Sequence, residues 1–245
     1  MRVVTLNTWK GDGDYADRLA AMARGLEDLS PDVVLLQEVL DAPSLGLHTG
    51  HALGRHLGLN VINLPLREKK RVVEGHRVDS RSGLAVLSRH PVRATLSIPL
   101  PSAPEDGERA ALVVEINAPH GPTTVTNLHL THLDDPALRR RQLEAAKQVA
   151  KRPGTALIGG DFNAHVEDFH LAGSGWRDCR SELGHAPRST LVGQPDGPCL
   201  DHLLWSGHGR PPKSWRVDLD RVCDKGLPVI SDHCAVVVDF TDGAK

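Results

Sequence analysis

The sequence predicts one α+β domain in which two β-sheets are flanked by helices. Runs typical of strands, either alternating or wholly apolar, outnumber the amphipathic helical segments. Several of these runs are joined by short turn sequences, which favours antiparallel hairpins. No linker and no internal repeat divides the 245 residues. We therefore expect a single domain over residues 1–245, made of two mainly antiparallel sheets.

The composition limits the function classes. The chain is 40% hydrophobic and 24% charged, as in globular proteins, and its 3% of aromatic residues leaves an aliphatic core with few base-stacking platforms. A net charge of -2 excludes a globally basic nucleic-acid binder but permits a local basic patch. No apolar run reaches the roughly 20 residues of a membrane span, and no signal peptide is apparent, so we expect a cytoplasmic protein. We also expect a monomer. Four cysteines without metal or disulfide spacing predict reduced thiols: Cys179, Cys199, Cys223 and Cys234.

The first third of the chain predicts three strands and two helices. Arg2 to Asn7 alternates, and Asp32 to Glu38 is almost wholly apolar; both strands end in polar residues. Between them, Ala16 to Leu29 has the helical spacing of apolar residues and stops before a proline. A short helix from about His51 to Leu57 then leads to a strand over Asn60 to Leu64.

The middle of the chain predicts hairpins. Arg67 to Arg81 is basic and lacks periodicity, so we expect a loop or a hairpin over one face. Strands follow at Ser82 to Ser88 and Val92 to Ile98, on either side of a turn. Two long alternating strands, Arg109 to Ile116 and Thr123 to Leu130, are separated by a proline- and glycine-containing turn.

The last third begins with a helix from Pro136 to Ala150, whose proline suits a first helical turn. A buried strand from Thr155 to Asp161 follows, and the chain is then rich in loop residues up to Pro198. The remaining predicted strands are Cys199 to Trp205, Ser214 to Leu219 and Cys234 to Phe240.

The stretch after the buried strand is the first sign of a reaction site. Gly159 and Gly160 precede Asp161 and Asn163, and in an extended chain residues two apart point to the same side. A carboxylate beside a carboxamide can hold and polarise a water molecule. Turn roles for both residues are an equally good interpretation of this stretch taken alone.

Polar residues at other strand ends favour the reaction site. Strands that deliver acids, amides and histidines to one end of a sheet are a common basis for a metal-dependent site. Carboxylate and amide oxygens suit Mg²⁺ or Mn²⁺ better than zinc. Asp201 could orient His233, whose imidazole would bind or protonate a phosphate oxygen. The full set is Asn7, Glu38, His129, Asp161, Asn163, Asp201, Asp232 and His233.

With these residues the chain resembles the endonuclease/exonuclease/phosphatase superfamily, which has the DNase I-like fold. The resemblance implies a four-layer α/β/β/α sandwich and hydrolysis of a phosphate ester by in-line attack of water. Each matching block alone is weak evidence for the family, whereas the ordered set of blocks along nearly the whole chain is highly specific for it. The blocks are Leu6-Asn7-Thr8-Trp9, Leu36-Gln37-Glu38-Val39, Asn127-Leu128-His129-Leu130, Gly159-Gly160-Asp161-Phe162-Asn163, and Leu200-Asp201-His202 with Ser231-Asp232-His233.

The resemblance also implies roles. Glu38 would be the principal metal ligand, with Asn7 close to the metal and Asp232 a possible further ligand. Asp161 would orient or deprotonate the water, helped by Asn163. The phosphate and the leaving group would be served by His129 and by the pair Asp201 and His233. His132 competes with His129, which we prefer because Asn127-x-His129 fits the motif and shares one strand face.

The substrate is less determined than the chemistry. Arg71 and Arg81, from the basic segment, could bind a phosphate backbone or a phosphorylated headgroup, although a solvated surface loop is an equal alternative. The chain lacks the Trp-Arg-x-Asp-Tyr and Pro-Asn-Gly blocks expected of abasic-site enzymes. We favour a nuclease-type phosphodiesterase that uses Mg²⁺, with Mn²⁺ as a substitute. The alternatives are a phosphatase or phosphodiesterase for a small or lipid-derived phosphate ester, and a non-catalytic binding module.

Overall fold

A computed structural model describes residues 1–150, 154–206, 210–220 and 229–241 of the protein. Four α-helices lie within these residues: α1 (Tyr15–Leu29), α2 (Thr49–Leu57), α3 (Pro136–Ala150) and the short α4 (Cys179–Glu182). The strands are β1 (Arg2–Asn7), β2 (Val33–Ala42), β3 (Leu47–His48), β4 (Asn60–Leu64), β5 (Glu68–Val73), β6 (His76–Ser88), β7 (Val92–Pro99), β8 (Ala110–Ala118), β9 (Gly121–His129), β10 (Thr155–Asp161), β11 (Trp176–Asp178), β12 (Asp201–Ser206), β13 (Pro212–Asp218) and β14 (Ala235–Phe240).

Two sheets are formed. The first, sheet A, has the order β13-β14-β1-β2-β6-β4, with β3 added to β2 and β5 added to β6. The second, sheet B, has the order β11-β12-β10-β9-β8-β7. Each sheet contains one parallel pair, β1 with β2 and β9 with β10, and the other pairs are antiparallel. The prediction of two mainly antiparallel sheets is therefore confirmed.

Alternation along the strands separates three apolar layers. In β1, Val3 packs between the two sheets, whereas Val4 packs beneath helices α1 and α2. In β10, Leu157 belongs to the layer between the sheets and Ile158 packs against α3. Because successive side chains of a strand point to opposite faces, this alternation makes each sheet two-sided. The result is the four-layer α/β/β/α sandwich that the resemblance implied.

Several element boundaries differ from the predictions. The basic segment is a hairpin of β5 and β6 with a turn at Glu74 and Gly75, both with positive φ. Strand β2 continues past Glu38 to Ala42 through an irregularity in its pairing with β6. The segment predicted as loop before Pro198 contains β11 and α4.

Two sequence-based expectations concern the whole chain. Three of the cysteines, Cys179, Cys199 and Cys234, are buried free thiols, and Cys223 lies outside the described residues. In the described part of the chain, no helix is both long and apolar enough to cross a membrane.

Candidate active site

A cleft of about 490 Å³ opens where the layer between the two sheets ends. Apolar residues fill this layer further in, and polar residues take their places at the strand ends. Seven of the eight predicted catalytic and metal-binding residues line the cleft, and the eighth, Asp201, is buried behind His233. The seven are Asn7, Glu38, His129, Asp161, Asn163, Asp232 and His233.

Three adjacent strands of sheet B place one polar row at the floor of the cleft. Asp161 is paired in register with His129 of β9 on one side and with Asp201 of β12 on the other. By strand alternation, these side chains share the face of Val125, Leu157 and Leu203, which pack between the sheets. The three groups are therefore brought together by the pairing register of neighbouring strands, and not by closeness in the sequence.

Asp161 is the centre of this row. Asn7 Nδ2 donates to Asp161 Oδ2 at 3.0 Å, and the backbone N–H of Asn163 donates to Asp161 Oδ1 at 2.9 Å. Two imidazole nitrogens lie near the same Oδ2, His129 Nε2 at 3.4 Å and His233 Nε2 at 3.8 Å. The carboxylate is 1% exposed, so its orientation is fixed by these contacts from both sheets.

Glycine is required immediately before Asp161 by the close packing of the strands. A Cβ atom at Gly160, where φ is +145, would lie 1.9 Å from the carbonyl oxygen of Leu128. A Cβ atom at Gly159 would lie 2.5 Å from a methyl of Leu203 and 2.7 Å from a methyl of Leu35. The two glycines therefore let β10 lie close to its neighbours and to the opposite sheet.

Asp201 and His233 form a buried pair behind Asp161. Asp201 Oδ2 and His233 Nδ1 are 2.8 Å apart, and the backbone N–H of His233 donates to Ser231 Oγ at 3.2 Å. Burial alone would lower the pKa of His233, but the charge and hydrogen bond of Asp201 and the charge of Asp161 raise it to about 10. His233 is therefore an imidazolium at neutral pH in the metal-free protein.

The other two titratable groups of the row are shifted in the direction of the neutral form. Burial and the charge of Asp201 raise the pKa of Asp161 to about 7, although His233, Asn163 and Asn7 act against the shift. Burial, followed by the charge of Arg109 and of His233, lowers the pKa of His129 well below its usual value. A carboxylate with a pKa near 7 next to one charged and one neutral imidazole is an arrangement that suits general acid–base chemistry.

Glu38 reaches the cleft from a β-bulge in β2. The register between β2 and β6 shifts between Leu36 and Val39, and Glu38 has φ 53. Asn127 of sheet B supports the bulge, because its Nδ2 donates to the carbonyl oxygens of Leu36 and Ala85, both at 2.8 Å. Its Oδ1 accepts from Gln37 Nε2 at 2.7 Å, so a buried amide pair joins the two sheets directly beneath the site.

Backbone strain is concentrated at this cleft. Trp9, Lys10, Glu38 and Asn163 are non-glycine residues with positive φ, and all four line it. Such conformations cost free energy and persist where the surrounding structure enforces them, often at functional sites. The extended conformation expected at Asn163 is wrong, because β10 ends at Asp161 and Asn163 has φ 50. Its side chain nevertheless borders the cleft, with Nδ2 donating to Leu130 O at 3.0 Å.

The residues present fit a hard divalent cation. Glu38, Asp232 and Asn7 offer carboxylate and amide oxygens in one cleft, and the Glu38 carboxylate already has a cation against it, Lys10 Nζ at 2.9 Å from Oε1. In the described residues, a second group, Asp161, Asp201 and His233, has ligand atoms within 4.8 Å of one another and could also hold a metal ion. The resemblance assigns the metal to the Glu38 group, and we keep that assignment as the hypothesis.

The two predicted substrate-binding arginines lie on opposite faces of the β5–β6 hairpin. Arg71 lines the cleft, where Nη2 donates to Ser82 Oγ at 2.9 Å. Arg81 does not line it: strand alternation places its exposed side chain opposite to Ser80 and Ser82, with Nη2 3.5 Å from Glu68 Oε2. Arg67 and Lys69 line the cleft together with Arg71, and we call these three residues the basic wall. Arg81 is not part of it.

His129 and His132 occupy different environments. His129 is close to Asp161, whereas His132 is exposed at the rim, with Nδ1 3.3 Å from Asp106 Oδ1. Asp106 is buried and is also bound by Arg109, whose two nitrogens lie 2.9 and 2.6 Å from its oxygens. The geometry therefore places His129, and not His132, beside Asp161.

Arg18 is a site-forming residue that the sequence reasoning missed. It is 3% exposed and donates five hydrogen bonds, four to carbonyl oxygens of residues 8, 9, 10 and 12 and one to Ile230 O. Its guanidinium also lies over the ring of Trp9, 4.8 Å from the centroid. Arg18 therefore joins the loop after Asn7 to the segment that leads into Asp232 and His233. Its signal was a charged residue four positions before Met22 on the apolar stripe of α1.

Comparison with known proteins identifies a family. The model of the Endonuclease/Exonuclease/phosphatase family matches residues 4–233. Among curated proteins, no sequence matches significantly.

Similar solved structures cover nearly the whole chain. An endonuclease/exonuclease/phosphatase from Beutenbergia cavernae is 23% identical with a TM-score of 0.76, over 98% of this chain and 71% of that one. An endonuclease/exonuclease/phosphatase family protein from Leptotrichia buccalis is 16% identical with a TM-score of 0.73, over 99% and 100%. A humanized TDP2 from D. rerio is 19% identical with a TM-score of 0.74, over 99% of each chain. At these identities the likeness establishes the fold.

Proposed function

Because the chain belongs to the Endonuclease/Exonuclease/phosphatase family, we propose that it is a divalent-metal-dependent phosphodiesterase. In this proposal an activated water attacks the phosphorus atom in line with the leaving oxygen. The preferred substrate is a nucleic-acid-type phosphodiester.

One observation carries the proposal. A buried carboxylate with a pKa near 7, Asp161, lies within 4 Å of one protonated and one neutral imidazole at the floor of an open cleft. A general base is most effective when its pKa is near the working pH, because it is then both ionised and able to accept a proton.

The chain's own residues supply the following steps. Asp161 accepts the proton of the attacking water as the new oxygen–phosphorus bond forms. The phosphorus–oxygen bond of the leaving group breaks, and its electron pair goes to the leaving oxygen. His233, kept charged by Asp201, donates a hydrogen bond to a non-bridging phosphate oxygen on which charge accumulates. His129 contributes a second, neutral donor from the other side of Asp161.

Glu38 and Asp232, with the amide of Asn7 nearby, would hold the divalent cation. When bound, such an ion neutralises phosphate charge and stabilises the leaving oxygen. Mg²⁺ is the expected ion and Mn²⁺ a substitute, because both prefer oxygen ligands.

The basic wall supports a substrate with several phosphates. Burial lowers the pKa of Arg71 and the charge of Arg67 adds to the effect, while the charge of Arg67 is the main cause that lowers the pKa of Lys69. These cations therefore repel one another in the free protein and would be relieved by a polyanion. Lys69 and Arg71 are two residues apart on one strand face, so their spacing of roughly 7 Å suits successive groups of an extended chain.

The test is a substrate panel with and without metal. The panel holds bis(p-nitrophenyl) phosphate, a single-stranded oligonucleotide, supercoiled plasmid and inositol phosphates, each incubated with Mg²⁺ or with EDTA. Asp161→Asn protein purified in parallel controls for contaminating nuclease. We expect Mg²⁺-dependent hydrolysis of the small diester and cleavage of at least one nucleic acid. Phosphate release from inositol phosphates without nucleic-acid cleavage would favour the alternative phosphatase. A folded protein that hydrolyses none of these substrates with Mg²⁺ or Mn²⁺ would refute the proposal.

A further inference from the structure

Lys10 is a cation held against the candidate metal ligand. Its Nζ lies 2.9 Å from Glu38 Oε1, in a pair whose lysine and glutamate side chains are 32% and 14% exposed. Both residues have positive φ, and the carbonyl oxygen of Lys10 accepts a hydrogen bond from Arg18 Nη2 at 3.2 Å. A strained and clamped loop therefore presents this ammonium group to Glu38.

Other cations of the cleft are bound differently in the described part of the chain. Arg109 pairs with Asp106, and Arg71 donates to Ser80 and Ser82. Lys69 has other cations nearby, since the charge of Arg67 is the main cause that lowers its pKa. Lys10 thus differs from them in contacting a carboxylate that the proposed function assigns to metal binding.

The charge of Lys10 acts on both sides of the cleft. It contributes to the lowered pKa of Lys69, after Arg67, burial and Arg71. It also contributes to the lowered pKa of His129, after burial, Arg109 and His233. The charge of the Lys10 ammonium group therefore acts both on Lys69 at the basic side of the cleft and on His129 beside Asp161.

We propose that Lys10 is the second cation of the active site, neutralising Glu38 until a metal ion takes that carboxylate and then binding the substrate phosphate. The inference rests on the proposed metal site. A divalent ion on Glu38 repels the ammonium group, and a flexible four-carbon chain lets Nζ move by several ångströms without moving the backbone. The substrate phosphate that the proposed function places in this cleft then offers the ammonium group an anion, so the metal ion and Lys10 both neutralise its charge.

The test compares Lys10→Met with Lys69→Met, because both variants remove one positive charge from the same cleft. Mg²⁺ binding to EDTA-stripped protein is measured by titration calorimetry, and the Mg²⁺-induced rise in Tm gives a second measure of affinity. We expect Lys10→Met to bind Mg²⁺ about tenfold more tightly than wild type, because the competing cation is gone. Lys69→Met should differ from wild type by no more than about threefold, since only long-range charge changes.

The phosphate contact has its own readout. At saturating Mg²⁺, Lys10→Met should have a lower kcat/KM for bis(p-nitrophenyl) phosphate, and Lys10→Arg should retain most of it. Equal gains in Mg²⁺ affinity in the two methionine variants, or unchanged kcat/KM in Lys10→Met, would overturn the inference while leaving the phosphodiesterase intact. No Mg²⁺ binding by wild type or either variant would instead reject the metal site, and this inference with it.

Discussion

Replacing Asn127 with leucine tests whether the amide pair between the sheets supports the site. Asn127 is fully buried and makes three hydrogen bonds, two as a donor to carbonyl oxygens beside the β2 bulge and one as an acceptor from Gln37. Leucine fills a similar volume but satisfies none of these groups. Two buried carbonyl oxygens lose this donor at a cost of about 1–3 kcal/mol each, so we expect a loss of about 4 kcal/mol in the free energy of unfolding.

Urea denaturation and calorimetry measure this loss directly. For a chain of this length, 1 kcal/mol corresponds to about 2–4 °C in Tm, so Tm should fall by about 8–16 °C. Asn117→Leu is the matched control, since Asn117 is exposed on the neighbouring strand β8 and its replacement should change stability by less than about 0.5 kcal/mol. Equal stabilities of the two variants would refute the reasoning, because burial and hydrogen bonding would then have no consequence at position 127.

Two further predictions concern groups around Asp161. Asp201→Asn should lower the pKa of His233 from about 10, measured by NMR titration of metal-free protein, because the neighbouring charge is removed. An unchanged His233 titration in the variant would contradict the assignment. Because the pKa of His233 is raised in the folded protein, its pair with Asp201 stabilises the wild type fully below pH 6.5 and progressively less as pH rises through about 10. Arg18→Met should lower the free energy of unfolding by about 3–5 kcal/mol in urea denaturation, because five carbonyl oxygens lose their donor, two of them in buried hydrogen bonds. A loss below about 1 kcal/mol would show that water replaces the guanidinium.

The predictable part of the fold is the part in which local patterns and core packing agree. Helix α3 and strand β4 have the bounds that apolar spacing and turn residues indicate. The sequence left the β5–β6 segment as either a loop or a hairpin. Its cleft face carries charged residues, so the alternation of apolar with polar residues is lost. Its strands form by backbone pairing across the turn, from Val73 with His76 to Glu68 with Arg81, and this pairing does not depend on an alternating apolar pattern.

The site divides in a similar way. The strand-end positions of His129 and Asp161 could be predicted from apolar runs that stop at polar residues. Glu38 instead lies at a bulge inside β2, and only the ordered motifs connected it with the other two. The bulge at Glu38 and the turn at Asn163 depend on backbone angles that the residue types do not dictate, so the extended geometry expected at Asn163 was wrong. The roles of Arg18 and Lys10 depend on contacts across the fold, which makes them visible only in three dimensions.

The most direct test of the central proposal is the turnover of Asp161→Asn with bis(p-nitrophenyl) phosphate at saturating Mg²⁺. Asparagine keeps the shape of the side chain and removes a buried charge that Asp201 repels, so the variant should fold as stably as wild type. We expect kcat to fall by about 10²–10⁴-fold, the usual contribution of a general base. Asp168→Asn, which alters an exposed acid outside the cleft, should retain wild-type kcat. Wild-type turnover by a folded Asp161→Asn protein would contradict the account, because no other carboxylate lies at the centre of the row.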